Sequence, residues 1–226
     1  MKKLVFLIIL SVLLSCGKEK IIHLPEISHS KITDIPDVSA AYLFYDEAQK
    51  DSVELNRKNL ISTTNWLVNV DKRLSLKQVI PQIKFLQDKK NNSSHKKENT
   101  KNYFTCNDTS RKNLGFIEFT DVVYHKESSN ALFKNRHEEI DSKLEIGINF
   151  YSNEKIHIIN ASSEPFIIET DFKDLISELK KMDRPNSKAY LNFNASLKFQ
   201  KYIHYKSSIL NTAFNHLEIS NHEFIY

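Results

Sequence analysis

The stretch LEIGINFYSNEKIHIIN, residues 144–160, decides the fold class of this chain of 226 residues. Apolar side chains occupy every second position of its first part, at Leu144, Ile146, Ile148 and Phe150. Such alternation is typical of a strand with one buried face. The turn residues Ser152 and Asn153 then lead into KIHII, a second β-rich run. The stretch therefore predicts a β-hairpin.

Helical and strand patterns alternate after this hairpin. FIIE (166–169) is a short strand candidate, and DFKDLISELKKM (171–182) has the apolar spacing of a helix capped by Thr170. AYLNFN (189–194) predicts a strand and FQKYIHYKSSILNTAF (199–214) a helix, while HLEIS and EFIY close the chain as strands. This order predicts strands and helices that share one sheet.

The first half has a comparable order of patterns. AYLFY (41–45) and NWLVNV (65–70) predict strands, SLKQVIPQIKFLQDKK (75–90) predicts a helix, and NYFTCN (102–107) predicts another strand. NYFTCNDTS (102–110) also resembles AYLNFNAS (189–196), with Tyr103 matching Tyr190, Asn107 matching Asn194 and Thr109 matching Ser196. An internal duplication and a chance likeness both explain this match.

These patterns predict an α+β fold, with small mixed sheets, helices on one face and two similar modules. The first module covers residues 39–125 and the second covers residues 144–226. Residues 126–143 are charged and form the predicted linker between them.

The N-terminus carries the clearest motif. Residues 4–14 are an apolar run that is too short to span a membrane, which needs roughly 20 residues. The run ends in LLSCG, which resembles the lipobox of bacterial lipoproteins, in which the cysteine becomes the acylated N-terminus. We therefore expect residues 1–15 to be a signal peptide, Cys16 to carry the lipid, and residues 16–38 to be a tether. An ordinary signal peptide with an incidental cysteine is the alternative.

Residues 144–219 resemble the periplasmic domain of the ExbD/TolR proteins, through the order hairpin, helix, strand, helix, strand. The family strand ends in Ala-Asp, whereas Asn194 stands at that place here. The resemblance implies a periplasmic module that binds a protein or cell-wall partner, in association with biopolymer transport machinery. Members of the family carry a transmembrane helix with an aspartate, and residues 4–14 contain no acid. Proton coupling is therefore not expected.

Composition excludes several kinds of site. Removal of residues 1–15 takes away two lysines, so the net charge falls from +4 to +2, which gives no basis for nucleic acid binding. Three glycines are too few for a phosphate loop or a dinucleotide fingerprint. The nine histidines, among them His157, His204, His216 and His222, do not follow a metal-binding spacing, and Cys106 has the setting of a buried, unreactive thiol. We predict no catalytic, cofactor or metal site.

Two functions from different classes follow. The first is an envelope binding or scaffold lipoprotein that uses a sheet edge or an aromatic face. Tyr42, Phe44, Tyr45 and Trp66 are candidates for a surface that stacks on sugars, whereas the alternation within strands favours half of them as core residues. The second is a hydrolase of envelope polymers with its site between the halves; the pair Glu138–Glu139 lies in the predicted linker and is expected to be solvated. A lineage-specific lipoprotein with an unrelated fold is a third possibility.

The position in the envelope rests on fewer residues. Gly17, Lys18 and Glu19 lack the aspartate that in some bacteria retains lipoproteins at the inner membrane, which favours the outer membrane with the body facing the periplasm. The basic loop from Lys89 to Lys101 is expected to be a solvated loop, with contact to anionic lipid as the alternative.

Overall fold

A computed structural model of the protein describes residues 20–94, 97–129, 144–160 and 166–226. These residues form three α-helices, a short 3₁₀ helix at Lys50–Ser52 and two mixed sheets of six strands each. The helices are α1 (Leu76–Asn91), α2 (Phe172–Lys181) and α3 (Phe199–Asn211). The predicted α+β class is confirmed.

The first sheet has the order β1-β5-β4-β2-β3, and β6 pairs with the other side of β5. Its strands are β1 (Glu26–Ile27), β2 (Val38–Tyr45), β3 (Val53–Asn56), β4 (Asn65–Val70), β5 (Asn102–Asp108) and β6 (Asn113–Glu118). β2 and β3 are an antiparallel hairpin, and β2, β4 and β5 run parallel to one another.

The second sheet has the order β10-β9-β8-β11-β12-β7. Its strands are β7 (Val123–His125), β8 (Leu144–Phe150), β9 (Ile156–Asn160), β10 (Phe166–Thr170), β11 (Ser187–Phe193) and β12 (Glu218–Ile225). β8 and β9 are an antiparallel hairpin, while β8, β11, β12 and β7 run parallel. The two strands predicted at the C-terminus are thus one strand, β12.

The two sheets share a topology. In each, a hairpin is followed by a strand parallel to its first strand, then by a helix, then by a further parallel strand. The order β3-β2-β4-β5 corresponds to β9-β8-β11-β12, and α1 corresponds to α3. Two similar modules are therefore present. The insertion of β10 and α2 distinguishes the second module from the first.

The predicted alignment of residues 102–110 with 189–196 is wrong. That alignment matches β5 with β11, whereas β11 pairs with the first strand of its hairpin and precedes a helix, as β4 does. The corresponding segments are residues 69–76 (NVDKRLSL) and 192–199 (NFNASLKF). Asp71 Oδ1 accepts from Arg73 N at 3.0 Å, and Asn194 Oδ1 accepts from Ser196 N at 2.9 Å, so both strands end in the same type of turn.

The modules meet at these two turns, in a seam formed by residues 72–77 and 195–200. Leu76 N donates to Leu197 O at 2.9 Å, and the corresponding residue Phe199 donates to Leu74 O at 2.7 Å. An outer pair of bonds repeats this exchange, from Lys77 N to Ala195 O at 2.8 Å and from Gln200 N to Lys72 O at 3.3 Å. Equivalent residues thus contact each other reciprocally, as in a two-fold dimer.

One hydrophobic core runs through both modules. Phe104 of β5 stacks on Phe119 at 4.0 Å between ring centroids and meets Phe199 edge-on at 5.2 Å. Tyr202 of α3 also meets Phe104 edge-on, at 6.2 Å. Because aromatic side chains from the two halves interdigitate, we expect the modules to unfold together.

Residues 20–38 lie against the body, where an extended tether was expected. β1 pairs in parallel with the end of β5, and Lys72 N donates to His23 O at 2.7 Å. Lys31 Nζ donates to Leu210 O at 2.7 Å, which fixes the same segment to the end of α3. The signal peptide, Cys16 and residues 130–143 of the predicted linker lie outside the described residues.

We predict that Phe199→Ala lowers the free energy of unfolding by about 3–5 kcal/mol, because it removes a fully buried ring from the shared core. Phe85→Ala is the matched control: Phe85 is 44% exposed under the Arg57 guanidinium and should cost less than about 1 kcal/mol. Urea unfolding followed by circular dichroism measures both. Equal losses for the two variants, or a wild type that unfolds in two separate steps, would contradict the shared core.

Candidate functional site

Cys106 lies on the buried face of β5 and is fully enclosed. Burial, together with the nearby charge of Asp108, raises the pKa of its thiol far above the usual range. Its sulfur contacts Phe104 O at 3.9 Å. A thiol that stays protonated in an apolar interior is a poor nucleophile, so Cys106 packs rather than reacts.

The histidines are spread over several elements. Among the residues that the structure describes, no three His, Cys, Asp or Glu side chains lie close enough together to hold a metal ion. Burial lowers the pKa of His204, and His157 lies 3.7 Å from a carboxylate oxygen of Glu169. His125 and His222 contact each other directly, with 2.7 Å between Nε2 and Nδ1.

The four predicted aromatic residues do not share one surface. Trp66 is buried and donates through Nε1 to Ile61 O at 2.8 Å, and Tyr45 lies beneath the Arg73 guanidinium and donates to Glu47. Only Tyr42 and Phe44 are half-buried neighbours on the face of the first sheet away from α1, with 5.8 Å between ring centroids. Of the four candidate aromatic residues, only Tyr42 and Phe44 therefore lie side by side on one face.

The basic loop is partly tied to the body. Lys90 is buried over the Trp66 ring and donates to Lys101 O and Asn102 Oδ1, both at 2.9 Å. The Lys101 ammonium pairs with Glu118 at 2.9 Å. Residues 95 and 96, and the pair Glu138–Glu139, lie outside the described residues. Two of the lysines assigned to this loop therefore face protein groups.

A buried polar chain that the sequence reasoning missed joins α3, β12 and β7. Lys206 and Glu223 form an ion pair whose side chains are 4% and 2% exposed. Tyr202 OH donates to Glu223 Oε2 at 2.7 Å, and the hydroxyls of Tyr202 and Tyr124 are 3.1 Å apart. Burial raises the pKa of both tyrosines, so they stay neutral.

The sequence does carry a signal for the buried polar chain. Lys206 follows Tyr202 by four residues, so both lie on the buried stripe of α3. Glu223 has the same strand parity as Ile225, which is buried. A lysine and a glutamate at core positions predict each other as partners, since a buried charge needs a counter-charge.

β10 is the most accessible edge of either sheet. It pairs with β9 on one side, and the described residues include no strand on its other side. Ile167, its second residue, is 68% exposed, while Phe166 and Ile168 pack against the core. β10 ends next to the N-terminus of α2, where Asp171 is the N-cap and accepts a hydrogen bond from Lys173 N at 2.8 Å. The predicted cap at Thr170 is therefore wrong.

The other edges are better protected. β3 has four residues, and its Glu54 pairs with Lys20. The edge of β6 is bridged by Ile32, which accepts from Phe116 N at 3.0 Å. β7 has only three residues. Short, charged or covered edges resist pairing with further strands, which distinguishes these edges from that of β10.

Comparisons with family models, with curated proteins and with solved structures found no match to this chain. In the described part of the chain, no helix has both the length and the apolarity required to cross a membrane.

We predict that Lys206→Met and Glu223→Gln each lower the free energy of unfolding by about 3 kcal/mol, because each leaves a buried partner unpaired. The double variant should lose less than the two single losses combined, which a double-mutant cycle in urea measures. Lys188→Met, in the exposed pair with Glu218 at 2.6 Å, is the control and should change stability far less. Additive losses at 206 and 223 would show that the buried pair is not coupled.

Proposed function

We propose that this protein is a lipid-anchored envelope lipoprotein that binds a partner protein by adding an extended segment of that partner to β10. The single observation that carries the binding role is the outer edge of β10, which has no partner strand among the described residues and on which Ile167 is exposed. Main-chain hydrogen bonds to an open edge supply affinity, and side chains opposite the strand supply specificity.

The chemistry of β10 defines the segment it would accept. The strand has five residues, an edge of about 17 Å. Ile167 offers an apolar cross-strand neighbour, and the Glu169 carboxylate is held by Lys155 at 2.5 Å. A β-branched or aromatic residue opposite Ile167 is therefore favoured in the partner segment.

The anchor part of the proposal rests on Cys16 in the lipobox-like stretch LLSCG. The chain is held to the body from Lys20 onward, because the Lys20 ammonium pairs with Asp46 at 2.8 Å and with Glu54. About four residues therefore separate the proposed lipid from the body, a reach of at most about 14 Å. In this proposal the body stays next to the outer membrane on its periplasmic side, and its partner is an envelope protein within that reach.

The ExbD/TolR-like order supports the same assignment. After the hairpin β8–β9 comes β10, and then α2, β11, α3 and β12 follow in the order that the resemblance implies. We propose association with biopolymer transport machinery on this basis, without a part in proton coupling. A hydrolase is less well supported: Glu145 and Glu218 line one cleft, but Glu145 accepts from Tyr190 OH and Glu218 pairs with Lys188.

Photo-cross-linking in intact cells tests the proposal. A photoreactive residue at position 167 should give a discrete adduct, whereas the same residue at position 61 should not. Ile61 is the matched control because it is 55% exposed and lies outside the strands.

The adduct should map to an extended segment of an envelope protein, and a synthetic peptide of that segment should bind the purified protein. Ile167→Lys should weaken that binding at least about tenfold, and Ile61→Lys should not.

The same cells report on the anchor. The wild type should fractionate with membranes and carry a mass consistent with acylated Cys16, and Cys16→Ser should be released. Identical adducts from positions 167 and 61, or a peptide that binds Ile167→Lys as well as the wild type, would reject the β10 edge. A Cys16→Ser variant that stays on membranes would reject the anchor alone.

A further inference from the structure

β7 joins the two halves of the chain in an unusual way. It is the one described strand before residue 144 that belongs to the second sheet. Its three residues pair in parallel with β12, so that Val123 lies opposite His222, Tyr124 opposite Glu223 and His125 opposite Phe224. So short a strand contributes few ladder hydrogen bonds, and its side chains must hold it in place.

The side chains of β7 are held on both faces of the sheet. On the helix side, Tyr124 is buried against Tyr202 in the polar chain described above. On the other side, His125 Nε2 lies 2.7 Å from His222 Nδ1, and the His125 ring stacks on Phe224 at 4.7 Å between centroids. The two imidazole planes differ by only 13°, so the contact is an in-plane N–H···N hydrogen bond.

This hydrogen bond requires an unequal distribution of protons. One of the two facing nitrogens must carry hydrogen and the other must not. The pair therefore accommodates two neutral rings or one imidazolium, but a second proton places two N–H groups against each other. We propose that His125 and His222 form a pH-sensitive clasp, which holds β7 on β12 near neutral pH and releases it when both rings are protonated.

The surroundings of the clasp disfavour the second proton. Burial, the adjacent His222 and the Lys84 ammonium on α1 all lower the pKa of His125, and Glu127 beyond β7 offsets them only in part. Lys84 Nζ also donates to Tyr124 O at 2.8 Å, which keeps this cation at the strand. The clasp lines a cleft of about 610 Å³ whose other titratable walls are Glu145, Lys188, Tyr190, His216 and Glu218. Lys188 and Glu218 pair at 2.6 Å, and the Glu145 carboxylate accepts from Tyr190 OH, so these groups face one another.

The direction of the pH dependence follows from the lowered pKa of His125. Because unfolded or detached histidine binds protons more readily, the clasp stabilises β7 fully above the ordinary histidine pKa of about 6.5. That stabilisation is lost as the pH falls through 6.5 toward the lower pKa of the clasped state. Beyond β7, Ser129 N is held separately by the buried Asn192 Oδ1 at 2.7 Å, so release is confined to the strand itself.

Hydrogen exchange of the full chain at pH 7.5 and pH 5.0, corrected for intrinsic rates, tests the clasp. The amides of β7 in the wild type should lose at least about tenfold protection at pH 5.0, because the detached strand binds protons more readily than the clasped one. His222→Gln keeps a hydrogen-bond partner for His125 but cannot be protonated, so its β7 protection should change less than threefold. His29→Gln, at an exposed histidine outside the clasp, should behave as the wild type does.

A titration of the ring signals in the wild type gives a second measurement, which does not depend on the fold of a variant. The His125 ring should take up its proton below the ordinary histidine pKa of about 6.5, as its lowered pKa requires. Protection of β7 that does not depend on pH, equal pH dependence in His222→Gln, or titration of the His125 ring at the ordinary histidine pKa would overturn the clasp. This inference is independent of the lipid anchor and of the β10 edge.

Discussion

Leu76 and Phe199 each donate a backbone N–H to the turn of the opposite module, and the rest of the molecule is arranged around this exchange. Both residues are the first of a helix, where the N–H groups have no partner within the helix itself. At the seam, the backbone N–H groups that have no partner within their own helix therefore donate to backbone carbonyl oxygens of the other module. Because the two helices begin at this point, both sheets turn their helix-covered faces toward one core.

The same arrangement determines where chemistry and binding can lie. The helix-covered faces of both sheets are used for packing, and the Lys206–Glu223 pair is enclosed there with two tyrosines. What remains for a partner is the outer rim, where β10 extends the second sheet beyond the pattern shared by the modules. β7 lies at the opposite edge of that sheet, where its His125 contacts His222 of β12.

The sequence predicted those parts of the fold that depend on local periodicity. The alternation at 144–150 predicted β8, and the apolar spacing at 75–90 predicted α1. It did not predict β1 or β7, because two- and three-residue strands carry no period and exist through partners far away in the chain. The alignment of residues 102–110 with residues 189–196 was wrong because it relied on shared tyrosines and asparagines, which occur in many strands. The shared turn, with Asp71 or Asn194 three residues before a leucine, was the informative signal.

The candidate site was less accessible to sequence reasoning. A sheet edge was expected as a binding surface, but which strand forms it depends on the insertion of β10 and α2 in one module only. Trp66 and Tyr45 were grouped with Tyr42 and Phe44, although strand parity places Trp66 in the core. The contact between His125 and His222 joins residues that only the assembled second sheet brings together.

Native-state hydrogen exchange at the amides of Leu76 and Phe199 tests the seam most directly. If the exchange of hydrogen bonds joins the modules into one cooperative unit, both amides should exchange only through global unfolding, with the same protection as the core strands. Weaker protection at the two amides than in β4 and β11, or protection that differs between Leu76 and Phe199, would show that the modules open independently and would contradict this account.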